Sequence, residues 1–263
     1  MILSWYRRQL NDFGVLPATW LLWHVCWRRV LVLLSNRFLP CRVECPCCGW
    51  KGRRFFDYIE MGYTARNAAC PSCDSHSRHR ALFLWLRDQY RLDEKEGVAL
   101  VLAPEKALAA LWVSARELRS YKMDIEPSRG VDVQADVARM PFASESVNLI
   151  WCHHVLEQVT DDRLALREFY RVLNSHSGEL VISAGLSENQ TTREFGFSDK
   201  GLSGNRRSYG ADFTVRLQVA GFVVQSLSCD LPMDDRLRFG ILPETFFRCT
   251  KPTGITMKGP LPE

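Results

Sequence analysis

DVARMPFASESVNLIWCHHVLEQVTDDRLALREFYRVL, residues Asp136 to Leu173, decides how this chain folds. An acid opens the stretch, Met140-Pro141-Phe142 follows, and then comes a short apolar run from Val147 to Trp151. The pair His153-His154 leads into an amphipathic segment that starts behind Asp161 and Asp162. That order reads as loop, buried strand, polar strand end and helix, which is half of a βαβ unit. Polar residues at the carboxyl end of a parallel strand are where open α/β sheets hold their ligands.

The same alternation continues on both sides. The expected strands are Val98–Ala103, Ser120–Asp124, Val131–Ala135, Val147–Cys152, Glu179–Ser183, Phe222–Cys229 and Thr245–Thr250. The expected helices are Glu105–Leu118, Asp162–Leu173 and Gly210–Ala220, the last closed by Gly221, a usual C-cap residue. Short apolar runs alternating with helical segments predict an α/β fold with a parallel sheet. A further helix is expected over Ser77–Tyr90, with Leu82, Trp85, Leu86 and Tyr90 on one face.

Composition shifts divide the chain near residues 40 and 95. Residues 1–39 form an apolar segment of two helices parted near Gly14 and Pro17. Residues 40–95 form a cysteine-bearing module with a linking helix, 96–252 the α/β domain, and 253–263 a loose tail rich in Pro and Gly. Residues 1–95 carry 15 basic and 8 acidic side chains, and residues 96–263 carry 19 and 22. The basic front end either faces phosphates, nucleic acid or an anionic membrane, or is simply a solvated face.

Most of the ten cysteines cluster between Cys41 and Cys48 and at Cys70 and Cys73. Cys45-Pro46-Cys47-Cys48-Gly49 and Cys70-Pro71-Ser72-Cys73 make Cys-x-x-Cys…Cys-x-x-Cys with 21 residues between the pairs. Cys45, Cys48, Cys70 and Cys73 thus suit one tetrahedral structural Zn²⁺, with Gly49 permitting a tight knuckle turn. Unmetallated thiols and a redox pair are the alternatives, and choosing Cys45 over Cys41 or Cys47 is a spacing argument alone. Cys26, Cys152, Cys229 and Cys249 read as core thiols. This usage implies a reducing, cytoplasmic compartment.

Val15 to Leu34 is strongly apolar and holds Trp20, Trp23 and Trp27, but His24 and Arg28-Arg29 interrupt it. Its longest uncharged run is too short for the roughly 20 apolar residues a membrane crossing needs. Two readings stand. In one, residues 15–36 make a peripheral membrane contact with the tryptophans at headgroup depth. In the other, which the spread of apolar residues around the helix favours, the segment docks as an ordinary buried helix.

The run from Pro141 to Val159 resembles the core of class I S-adenosylmethionine-dependent methyltransferases, with Asn148 and Gln158 where an aspartate and a histidine are usual. From Cys45 to Pro252 the ordered series resembles a methyltransferase type 11-like bacterial group. That series comprises the cysteine knuckles, Arg78-His79-Arg80, the glycine-free loop Ala103-Pro104-Glu105, the Tyr209–Phe222 run YGADFTVRLQVAGF and a closing PETFFRCTKP. Val101, Asn174–Gly178 and Gly204–Arg207 depart from that pattern. The resemblance implies a Rossmann-like, seven-stranded class I methyltransferase fold with an N-terminal zinc-ribbon-like module and N-terminal helices.

The resemblance further implies S-adenosyl-L-methionine as cofactor. It places Asp124 on the ribose, Asp136 near the adenine amino group, and Ala103, Pro104 and Glu105 along the methionine side, with Val137 and Cys152 completing the set. Chemistry supports the two acids independently, since a carboxylate accepts both vicinal ribose hydroxyls and both acids end strands on the ligand side. The plainer reading of each is a helix cap or a solvated turn.

Methyl transfer is an in-line displacement, and a base is needed only when the acceptor starts protonated. His153, His154 and Glu157 follow the fourth strand, and His154 is the candidate base; a structural histidine and a turn-capping Glu157 are the alternatives. The expected activity is methyl transfer to a small-molecule or glycan acceptor. An RNA methyltransferase is less favoured, because no aromatic-basic interleaving appears. A catalytically inactive, methyltransferase-like interaction protein is the third reading.

Overall fold

Gly14, at φ +84°, parts two helices, α1 (Ile2–Phe13) and α2 (Val15–Phe38). Pro17 sits inside the first turn of α2, where its missing N–H breaks no helical bond. The computed structural model describes residues 2–127, 130–187, 189–199, 204–229 and 231–252, so the tail from residue 253 lies outside the described residues. Two units emerge. The first is Met1–Tyr90 with Lys106–Leu108 and Cys229–Glu244; the second is Arg91–Glu105, Ala109–Ser228 and Thr245–Glu263.

In the first unit two antiparallel ladders follow the helices. One pairs β1 (Val43–Glu44) with β2 (Lys51–Gly52), and the other pairs β3 (Phe56–Glu60) with β4 (Tyr63–Ala69). The helix α3 (Ser77–Leu84) runs on as a π-helical turn, Trp85–Gln89. α2 buries Ala18, Leu21, Val25 and Val32, and Leu21 and Val25 cluster with Ile59. Its docking is fixed by Arg28, which donates to Asp57, and by Asn36 Oδ1, which accepts the N–H groups of Arg53 and Arg54. The opposite face of α2 is exposed, so the helix docks by one side only. Among the described residues no helix is long and apolar enough to cross a membrane.

Arg80, from the Arg78-His79-Arg80 triplet, spends its guanidinium on backbone carbonyls. It is fully buried, donates to the carbonyls of Ala68, Ser75, Phe239 and Gly240, and lies 4.0 Å over the Phe55 ring. A guanidinium has five N–H donors, and a low-dielectric interior leaves few of them without acceptors.

The second unit is built on one seven-stranded sheet. Its strands are β5 (Gly97–Leu102), β6 (Leu118–Asp124), β7 (Val133–Gln134), β8 (Leu149–His153), β9 (Glu179–Ser183), β13 (Val223–Ser228) and β14 (Thr245–Thr250), the numbers between belonging to a separate arm over residues 186–210. Their spatial order is β13-β14-β9-β8-β5-β6-β7; β14 runs antiparallel to both its neighbours and the remaining pairs are parallel. All seven expected strands are present. The helix α5 (Asp162–Val172) begins behind Asp161, whose carboxylate accepts the Leu164 N–H, and packs Ala165, Leu166, Phe169 and Val172 into the core. That spacing is the amphipathic period the sequence displays.

The expected helix over Glu105–Leu118 is shorter. A 3-10 turn, Lys106–Leu108, leads into α4 (Ala109–Ser114), and Leu118 already belongs to β6. After β9 an unexpected three-stranded arm appears: β10 (Leu186–Ser187), β11 (Arg193–Asp199) and β12 (Asn205–Gly210). The expected helix from Gly210 starts later, as α6 (Phe213–Val219), because Tyr209 and Gly210 end β12. A seventh helix, α7 (Met233–Phe239), lies between β13 and β14 within the first unit.

Candidate active site and cysteine cluster

The strand order of the seven-stranded sheet reverses between β5 and β8, and ligands of open α/β sheets bind outside the carboxyl ends at such a point. A cavity of about 260 Å³ lies there. Ala103 from the end of β5, Asp124 from the end of β6, Asp136 and Val137 from just beyond β7, and His154 from the end of β8 all line it. Four short parallel strands thus deliver five of the expected residues to one hollow. Pro104, Glu105, Cys152, His153 and Glu157 are not among its lining residues.

Asp124 Oδ1 accepts the Glu126 N–H at 3.0 Å, and Asp136 Oδ1 accepts the Ala138 N–H at 2.8 Å. Both carboxylates therefore serve their own turns as well as facing the cavity, so the plain and the functional readings coexist. The glycine-free loop after β5 still adopts a glycine-like backbone. Ala103 has φ +46°, and its N–H donates to the Met123 carbonyl at 2.9 Å. A left-handed alanine costs roughly 1–2 kcal/mol, and such strain concentrates at functional sites. His154 shares the feature, with φ +51°.

Two histidine networks leave the end of β8 in different directions. His154 Nδ1 lies 2.8 Å from Glu157 Oε1, which also accepts the Gly185 N–H at 2.8 Å. His153 is buried; its Nδ1 bonds the Ser183 hydroxyl and its Nε2 lies 3.9 Å from Glu105 Oε1. Glu105 and His153 accordingly face each other, while His154 lines the cavity and is held by Glu157, which does not. Cys152 is fully buried, and that burial pushes its thiol well up, which leaves it inert.

Sequence reasoning missed Arg207. This buried residue of β12 donates to the carbonyls of Leu156 and Val159 at 2.6 Å and of Thr160 at 3.1 Å, and its Nε donates to Glu194. Val159 and Thr160 line the cavity, so Arg207 clamps its outer wall. Arg206 adds a backbone bond to the Glu157 carbonyl at 2.7 Å. The departure at Gly204–Arg207 is therefore a strut, legible only once the arm is folded.

In the first unit, ligand atoms of Cys45, Cys48, Cys70 and Cys73 all lie within 4.8 Å of one another. Cys45 Sγ is 3.6 Å from Cys73 Sγ, and Cys48 Sγ is 3.7 Å from Cys70 Sγ. Tetrahedral zinc with bonds of about 2.3 Å sets sulfurs roughly 3.8 Å apart, so the separations fit. The two knuckles share one design: Gly49 N–H returns to the Cys45 carbonyl and Asp74 N–H to the Cys70 carbonyl, with φ +73° and +59°. Buried Ser75 hydroxyl lies 3.1 and 3.2 Å from Cys45 and Cys73. Thiol donors from Cys47 and Cys70 pull the Cys45 thiol far down, while its proximity pushes Cys47 and Cys70 far up. Without a cation, such a cluster tolerates little negative charge. Cys47 lies outside the foursome, with its sulfur 4.0 Å from the His79 carbonyl, and Cys41 is exposed.

A family model described as "Methyltransferase domain" matches residues 100–182, from within β5 to within β9. With that match the strand order is decisive. This is a class I methyltransferase fold. Counted from the β7 edge, its strands run third, second, first, fourth, fifth, seventh and sixth. Solved structures similar to this methyltransferase fold include the [4+2]-cyclase SpnF, at 14% identity over 67% of this chain and 81% of that one, TM-score 0.46. A SAM dependent methyltransferase from Archaeoglobus fulgidus matches at 12% identity, 66% and 94% coverage and TM-score 0.46. One from Aquifex aeolicus matches at 14%, 66% and 96%, with TM-score 0.42. No curated protein matches the chain in sequence.

Proposed function

We propose that this protein transfers a methyl group from S-adenosylmethionine to a small-molecule or glycan acceptor, and that Cys45, Cys48, Cys70 and Cys73 hold a structural zinc ion. One observation carries the reading: carboxylates ending consecutive strands, Asp124 and Asp136, line one cavity at the strand-order reversal. Asp124 would accept the ribose hydroxyls and Asp136 an adenine amino proton, while the left-handed Ala103 lets backbone approach closely. When bound, the cofactor supplies an electrophilic methyl group on a sulfonium. Catalysis then falls to alignment and water exclusion.

His154 is the base for an acceptor that starts protonated. Glu157 holds the proton on Nδ1 and leaves Nε2 as the acceptor, a tautomer assigned from the carboxylate contact. Among the described residues the lining of the cavity carries Asp124, Glu126 and Asp136 and no lysine or arginine. That field suits a cationic cofactor and a neutral acceptor better than a polyphosphate strand. Incubation of cell extract with methyl-tritiated cofactor tests the acceptor class. Label is expected in nuclease-resistant small molecules or glycans. Nuclease-sensitive label, or cofactor binding with no transfer, contradicts the proposal.

A further inference from the structure

We infer that α2 is an in-plane anchor that seats this protein on an anionic lipid surface, a role independent of the methyl-transfer reading. At 1.5 Å per residue its 24 residues extend about 36 Å. One face, through Ala18, Leu21, Val25 and Val32, is buried, so the helix cannot turn to hide the other. Leu16, Trp20, Trp23, Trp27, Leu34 and Phe38 recur at spacings of four, three, four, seven and four along that other face. Trp20, Trp23 and Trp27 are 62%, 64% and 53% exposed, and Phe38 is 75% exposed. The three indoles alone present roughly 300 Å² of ring surface, already the size of the largest apolar patch on an ordinary monomer.

Charge selects the occupant. α2 contains no Asp or Glu, and residues 1–42 hold six arginines against a single acid, Asp12. Nearby acids are committed: Glu60 to Arg8 and Glu44 to Arg238. Arg7, Arg37 and Arg42 are exposed. A second copy docked stripe to stripe would oppose like charges and bury indole N–H groups away from acceptors. A lipid headgroup layer supplies the acceptors, the counter-charge and, below it, the apolar bed. Tryptophans favour that depth, and an amphipathic helix settles there without spanning.

The full chain is to be sedimented with vesicles of phosphatidylcholine alone and of phosphatidylcholine mixed with phosphatidylglycerol, with tryptophan emission recorded. The account expects binding to the anionic vesicles, a blue-shifted emission, at least about tenfold weaker binding to the neutral ones, and weakening at high salt. The triple variant Trp20→Ser/Trp23→Ser/Trp27→Ser, checked for an unchanged circular dichroism spectrum, should bind at least tenfold more weakly. Arg37→Glu/Arg42→Glu, which leaves the stripe intact, should erase the preference for anionic vesicles. No binding to either vesicle, equal binding of the triple variant, or equal affinity for both lipids overturns the inference. So does a wild-type dimer that the triple variant dissolves while neither protein binds lipid.

Discussion

His154 Nδ1 and Glu157 Oε1 lie 2.8 Å apart, and the carboxylate oxygen that holds the imidazole also holds the Gly185 N–H. The ring is thereby fixed at the edge of a cavity from a backbone with φ +51°. A positioned base contributes about 10²- to 10⁴-fold. His154→Asn should lower kcat by that order. Glu157→Gln, which keeps an acceptor for Gly185 but loses the charge behind the ring, should lower kcat about tenfold with little change in cofactor affinity. Single-turnover kinetics and calorimetry separate the two effects. Full kcat in His154→Asn would make this histidine structural.

The cysteine foursome predicts one zinc per chain. Cys48→Ser and Cys73→Ser should each abolish metal in elemental analysis, whereas Cys41→Ser should retain it, because Cys41 is exposed and outside the cluster. Chelation should lower the melting temperature of the first unit sharply, since a small module draws its folding energy from the ion. Metal content unchanged in Cys48→Ser would show that the ligand set is wrong.

Asp57 gives a pH prediction. Burial alone would push its carboxyl up, but the Asn67 N–H and the guanidinium groups of Arg28 and Arg54 outweigh it and hold the carboxyl below its ordinary value. Its pKa is thus lower folded than unfolded, where it is about 3.9. The resulting stability is present above about pH 4 and is lost as pH falls through the folded value. Asp57→Asn should cost about 3 kcal/mol at neutral pH by leaving two arginines without their buried partner. It should also flatten the loss of stability below about pH 4, as measured by denaturant melts. A variant as acid-sensitive as wild type would place that sensitivity elsewhere.

The sheet was legible because burial on both faces writes apolar runs and burial on one face of a helix writes a 3.6-residue period. Leu149–His153 and Asp162–Val172 show both in succession. Asp124 and Asp136 were legible as strand-end acids on the ligand side of the sheet, although the turn-capping bonds that each also accepts read the same way in sequence. The rest depends on partners far along the chain. Arg207 reaches carbonyls 47 to 51 residues earlier, and Arg80 reaches two about 160 residues later. No local pattern announces such bonds. The left-handed backbone of Ala103 escaped for a different reason: sequence reading looks for glycine at positive φ, and here alanine bears the strain.

The central claim is that a nucleoside-bearing cofactor rests against Asp124. Calorimetric titration of S-adenosylmethionine, or of S-adenosylhomocysteine, into wild type and Asp124→Ala tests it most directly, with Ala103→Gly as a control that keeps the left-handed backbone. Saturable heat in wild type and in Ala103→Gly, reduced at least about a hundredfold in affinity in Asp124→Ala, is the predicted result. Equal affinity in Asp124→Ala, or no heat in folded wild type, would contradict the account.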